Sequence, residues 1–99
     1  MKKKFFDKYT IEIVKLFRIS RKDLFSKNKK REISTARHLL YYMCFRRKMS
    51  LVEIQSYMLE EGYQIPHSSI IHGINVVEEK ILTDTDYTYS IDKIESCTI

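Results

Sequence analysis

The chain has 99 residues, room for one hydrophobic core, which excludes most multi-domain enzymes. Its 43% hydrophobic and 12% aromatic content supports a compact core, while one Pro and two Gly leave an all-β fold without the turn residues its hairpins need, so an all-α domain is expected. The net charge of +5 points to a polyanionic partner and is unevenly spread: residues 1–50 hold 16 Lys+Arg and 4 Asp+Glu (+12), and residues 51–99 hold 2 and 9 (−7).

Met1 to Lys8 has the charge of a signal-peptide n-region, but no apolar h-region follows, and no stretch approaches the roughly 20 apolar residues that span a membrane. From Tyr9 to Phe17 the apolar residues Ile13, Val14, Leu16 and Phe17 predict a short amphipathic helix. Ser20-Arg21-Lys22-Asp23 has the form of a capping box, in which a hydroxyl and a carboxylate satisfy free N–H groups at a helix start, and a single turn with Leu24 and Phe25 follows. Residues 26–31 are polar and basic and read as an exposed connection. Ile33, Ala36, Leu40, Met43 and Cys44 then trace one face of the longest helix, ending near Arg47 or Lys48.

Ser50-Leu51-Val52-Glu53 is a second capping box, opening a helix that buries Leu51, Ile54 and Met58 and that Gly62 terminates. Pro66 starts or precedes the next helix, with Ile70, Ile74, Val77 and Ile81 on its buried side. From Thr83 the chain is polar and acidic, and a loose tail or one short helix is expected, with the core running from about residue 9 to 82. Two capped helices joined by a Gly-containing turn have the outline of a helix-turn-helix, in which His67, Ser68, Ser69 and His72 face outward from the second helix.

Four blocks along residues 11–81 resemble the C-terminal DNA-binding domain of the bacterial replication initiator DnaA. Residues 17–27, FRISRKDLFSK, are similar to the family's Y-x-I-x-x-x-D-L-L-S-K opening, and residues 33–42, ISTARHLLYY, to its long helix, V-x-x-A/P-R-Q-x-A-M-Y. Ser50-Leu51-Val52-Glu53-Ile54 is similar to S-L-P-E-I, and His67-Ser68-Ser69-Ile70-Ile71-His72-Gly73 to the end of the signature R-D-H-T/S-T-V-L/I-H-A/G. The signature's Arg and Asp are replaced by Ile65 and Pro66, and about four extra residues separate the last two blocks. The resemblance implies a Trp repressor-like helical domain, stand-alone and of the kind a phage could encode, that binds double-stranded DNA and regulates replication or transcription. It implies Arg37 as an outward DNA contact, Lys27, Lys29, Lys30 and Arg31 in a basic loop at the backbone or minor groove, and His67, Ser68 and Ser69 in the major groove. Ser for Thr loses a methyl that packs on thymine, and Lys for Arg loses the planar fork, so phosphate anchoring should outlast sequence specificity.

Read without the resemblance, the run from Lys27 to Arg31 is a solvated loop and His38 is either a phosphate contact or a surface residue. Tyr41 and Tyr42 read as partly buried beside the core, Cys44 as a small core residue and His72 as a structural residue near the turn. His67 and His72 are five apart with no completing ligand, so no metal or other cofactor is expected. Cys44 and Cys97 form no disulfide framework, which fits a reducing cytoplasm. No catalytic motif is present, and the length cannot hold the initiator's ATPase, so no enzymatic activity is expected. The alternative is a structural or protein-interaction subunit of a larger assembly, such as a virion, whose acidic second half meets a basic partner. On the DNA reading, the charge split becomes a geometric expectation: a basic face built by residues 27–37 and an acidic face opposite.

Overall fold

The computed structural model describes residues 2 to 98; Met1 and Ile99, the ends of the expected single domain, lie outside the described residues. Six α-helices follow in order: α1 (Lys2–Phe17), α2 (Arg21–Leu24), α3 (Arg31–Arg46), α4 (Leu51–Glu60), α5 (His67–Thr83) and α6 (Thr85–Thr98). No strand occurs among the described residues, so the domain is an all-α bundle. Its Cα radius of gyration of 12.1 Å suits one core, about 13 Å being usual for 100 residues.

The central element is α3, which packs against α1, α2, α4 and α5. Its apolar stripe widens accordingly, since Leu39 and Tyr41 are buried along with Ile33, Ala36, Leu40, Met43 and Cys44. On α5 the buried set is Ile70, Gly73, Ile74 and Val77, spaced i, i+3, i+4 and i+7. Gly73 lies where α5 crosses α3: a Cβ there would stand 2.7 Å from Tyr41 Cδ2 and 2.9 Å from His38 Cδ2. The missing side chain sets the closeness of this crossing.

Both ends of the expected core are corrected outward. The first helix begins at Lys2, seven residues before Tyr9, because Phe6, Tyr9, Thr10 and Ile13 form one buried stripe. The Thr10 hydroxyl donates to the Phe6 carbonyl (2.8 Å) and so enters the core satisfied. At the other end, of the two expected forms, a loose tail or one short helix, the acidic segment takes the helical one and runs for 14 residues. Ile91 and Ile94 are buried, and α6 packs on α1 and α5.

Three helices close with the same device. Arg18 (φ 55°), Lys48 (φ 65°) and Gly62 (φ 87°) each adopt the left-handed conformation. The next amide in each case reaches back to the helix: Ile19 N–H to Val14 O (3.2 Å), Met49 N–H to Cys44 O (3.1 Å) and Tyr63 N–H to Met58 O (3.0 Å). These are Schellman closures, each followed by an apolar residue that folds back on the core. Of the two capping boxes, Ser50 forms both halves, with Glu53 N–H donating to the serine (3.1 Å) and Ser50 N–H to the glutamate (2.8 Å). At Ser20 only the hydroxyl half forms (3.0 Å), since aspartate is one methylene shorter.

Candidate nucleic-acid interface

The segment between α2 and α3 carries a positive charge at nearly every second position, yet it is a built loop. Ser26 Oγ donates to the Asp23 carbonyl (2.7 Å) and accepts from Asn28 N–H (3.3 Å), and Asn28 Oδ1 accepts from Lys30 N–H (2.9 Å). Such local turns fix the backbone by side chain rather than by helix. The carbonyls of Leu24, Ser26 and Asn28 converge on one group, the guanidinium of Arg37, at 3.2, 2.7 and 2.6 Å.

Arg37 is therefore corrected: it is 6% exposed, on the core side of the loop, and not an outward contact. A planar fork can satisfy three carbonyls that a lysine could not. The guanidinium also lies 5.1 Å from the centre of the Tyr63 ring. With alternate residues turned inward, Lys27 and Lys29 project outward and are exposed.

Beside this loop lies a cleft of about 670 Å3. The loop lines it with Lys27 and Lys29, α3 with Ser34, Arg37, His38 and Tyr41, the α4–α5 connection with Tyr63, and α5 with Ser68, Ser69 and His72. No carboxylate is among these residues. Lys27 reaches over the Tyr63 ring, its Nζ 5.8 Å from the centre. At the α5 end the N-cap is Pro66, which offers no side-chain acceptor to the first turn. Ser68 and Ser69 thus stand at a helix N-terminus whose positive dipole end no side chain caps.

His67 is turned differently. Its Nε2 lies 3.1 Å from Gln55 Oε1, and Gln55 Nε2 donates to the Ile65 carbonyl (2.8 Å), so α4 locks the start of α5. Ile65 is 7% exposed and fills the core, so the apolar residue at this signature position is a packing residue. Lys30 is exposed at the start of α3, outside the cleft lining. Arg31 lines a separate hollow of about 220 Å3 with Lys80, Asp84 and Asp86. Of the eight expected site residues, the cleft thus gathers Lys27, Lys29, Arg37, Ser68 and Ser69, and not Lys30, Arg31 or His67.

His38 and His72 meet edge-on with ring centres 5.7 Å apart. His72 is exposed, facing outward from α5 as expected, and its ring packs against His38 beside the turn. Burial, and then the neighbouring charges of His72 and Arg37, hold His38 below the usual imidazole range. Burial also raises the Tyr41 phenol and the Cys44 thiol, both of them core groups, and Tyr42 is half-buried.

The two charge halves interleave rather than simply oppose one another. Lys2 pairs with Glu53 (3.1 Å), Lys3 with Glu60 (2.6 Å), Arg21 with Glu61 (3.0 Å) and Arg47 with Glu95 (2.8 Å). Four second-half acids are thereby neutralised by first-half cations, whereas Lys27, Lys29 and Lys30 have no acidic partner within 4.0 Å among the described residues. Exposed pairs of this kind add little stability singly. Their effect is to leave the loop as a concentrated source of uncompensated positive charge.

No family model and no solved structure matches this chain.

The lining that sequence reasoning left out had a partial signal. Ser34, His38 and Tyr41 fall with the expected Arg37 at i, i+4, i+7 and i+3, a polar-aromatic stripe beside the apolar one on α3. Tyr63 has no such pattern, because it enters the cleft from an irregular connection. No helix among the described residues is long and apolar enough to cross a membrane. Nor does any group of three His, Cys, Asp or Glu side chains there fall into a metal-holding arrangement.

Proposed function

We propose that the protein binds duplex DNA, with α4 and α5 as a helix-turn-helix and the start of α5 directed at the major groove, in the manner its resemblance to the initiator's DNA-binding domain implies. One observation carries this reading: a carboxylate-free cleft sets Lys27 and Lys29 beside Ser68 and Ser69 at the uncapped N-terminus of α5. Phosphate is the group such a site suits, because cations, hydroxyls and free amide dipoles all complement an anion. Arg37 serves by shaping the loop, and Lys30 extends the positive surface. Bound to initiator-like sites, the module would regulate replication or transcription in the host cytoplasm, as a phage-encoded factor could.

A second reading, as a protein-interaction subunit of a larger assembly such as a virion, is favoured by different residues. Glu78, Glu79, Asp86 and Asp92 are exposed and have no cation within 4.0 Å among the described residues, a surface suited to a basic protein.

Duplex binding across a salt series separates the two. Phosphate contacts by Lys27, Lys29 and Lys30 give a log–log slope near −3, at about −0.9 per contact, and the Lys27→Ala/Lys29→Ala pair should reduce that slope by about 2. Absence of duplex affinity at low salt, or an unchanged slope in the double variant, overturns the DNA reading.

A further inference from the structure

His38 and His72 have no role in the reading above, although both line the cleft. Their setting differs from that of His67, whose ring is held by Gln55. The ring nitrogens of His38 and His72 make no hydrogen bond to another described residue, and the two rings meet each other edge-on. Two imidazoles with uncommitted nitrogens therefore face a cavity that has no carboxylate.

The groups around them are positive or neutral. On α3, Arg37 and Tyr41 flank His38; the loop contributes Lys27 and Lys29, the connection Tyr63, and α5 presents His72 to His38. Burial opposes adding a proton to His38, and the neighbouring formal charges oppose it further. An anion in the cleft reverses the sign, since it screens the cations and offers an acceptor to a protonated ring nitrogen.

We infer that the His38–His72 pair takes up a proton when a phosphate-bearing ligand occupies the cleft, so that binding there tightens as the pH falls. This rests on the reading of the cleft as a nucleic-acid site, and makes the two histidines binding residues and the site a proton-linked one. Linkage fixes the direction: a ligand that favours the protonated pair is itself bound more tightly by it. The uptake is one proton for the pair, because two adjacent imidazolium rings repel.

The test measures the affinity of a mixed-sequence duplex of about 20 base pairs at low salt, between about pH 8 and pH 5.5. Circular dichroism confirms the fold at each pH. The expected result is about tenfold tighter binding at the acidic end, tenfold being the effect of one pKa unit on one proton. Calorimetry in two buffers of different ionisation enthalpy should show net proton uptake on binding. The His38→Gln/His72→Gln variant should lose both the pH dependence and the uptake. If that variant does not fold, the titration of His38 followed by NMR in the wild-type chain decides: its midpoint should rise when duplex is added. Duplex binding that is flat with pH, with no proton uptake and an unmoved His38, overturns the inference and leaves the DNA reading standing. No duplex binding at any pH overturns both.

Discussion

Replacing Arg37 by alanine discriminates between two roles that the sequence alone cannot separate. The side chain donates to three backbone carbonyls, of Leu24, Ser26 and Asn28, at 3.2, 2.7 and 2.6 Å. A hydrogen bond from a charged group contributes about 1.5–3 kcal/mol, but the three share one guanidinium and are not additive. Ser26 and Asn28 are only half-buried, so their carbonyls can recover water. The Leu24 carbonyl belongs to a residue buried in the core. Weighing these gives a loss of about 3 kcal/mol, and at about 4–8 °C per kcal/mol for a domain this size the melting temperature falls by roughly 12–24 °C. Thermal unfolding followed at 222 nm reads this directly. Hydrogen exchange should also show lost protection at the Asn28 and Lys30 amides, which the loop's own side chains hold. Arg37→Lys should recover only part, since one ammonium cannot span three carbonyls. A melting temperature within about 2 °C of the parent would refute the scaffold role. Loss of duplex affinity together with that unchanged stability would restore Arg37 as a direct contact.

Three further outcomes follow from the geometry. Lys48→Gly should stabilise the fold by about 0.5 kcal/mol, because removing the cost of a left-handed side chain outweighs the added unfolded-state freedom, and a lower melting temperature would contradict this. Gly73→Ala would gain about 1 kcal/mol on an open helix, but here it should destabilise by about 1–3 kcal/mol, since Tyr41 and His38 leave no room for the methyl; a denaturant midpoint equal to or above the parent's would sink that argument. His38 is held below its ordinary imidazole range in the folded state, so the stability it contributes is present above the unfolded value of about 6.5 and is lost as the pH falls from there through its folded value. The stability of His38→Gln should vary less across that window, and an equally steep profile would assign the effect elsewhere.

The fold was largely legible because its signals are local. A serine three residues before an acid marks the starts of α2 and α4, and the apolar spacing of Ile70, Ile74 and Val77 marks the inner side of α5. The ends were less legible for the same reason. Lysines 2 to 4 mask a stripe that begins at Phe6, and the weak pattern of Ile91 and Ile94 becomes a helix on docking against α1 and α5. The ends of α1 and α3 were placed near Phe17 and at Arg47 or Lys48, but the left-handed conformation of Arg18 and Lys48 was invisible, because a lysine or arginine adopts it only when the closure and the apolar residue after it compensate.

For the candidate site the division falls elsewhere. Sequence by itself determined an all-α chain, a basic loop ahead of the long helix, which the structure ends at Lys30 with Arg31 already in α3, and the hydroxyls at the start of α5, since these depend on neighbours within a few positions. Only tertiary structure decided that Arg37 points into the loop, that Arg31 and His67 lie outside the cleft lining, and that His38 meets His72 across an interface made close by Gly73. Charge and periodicity along a chain cannot tell which cation is used to hold backbone carbonyls. That depends on where α2, α3 and α5 come to rest against one another, and the packing of their apolar stripes sets those positions.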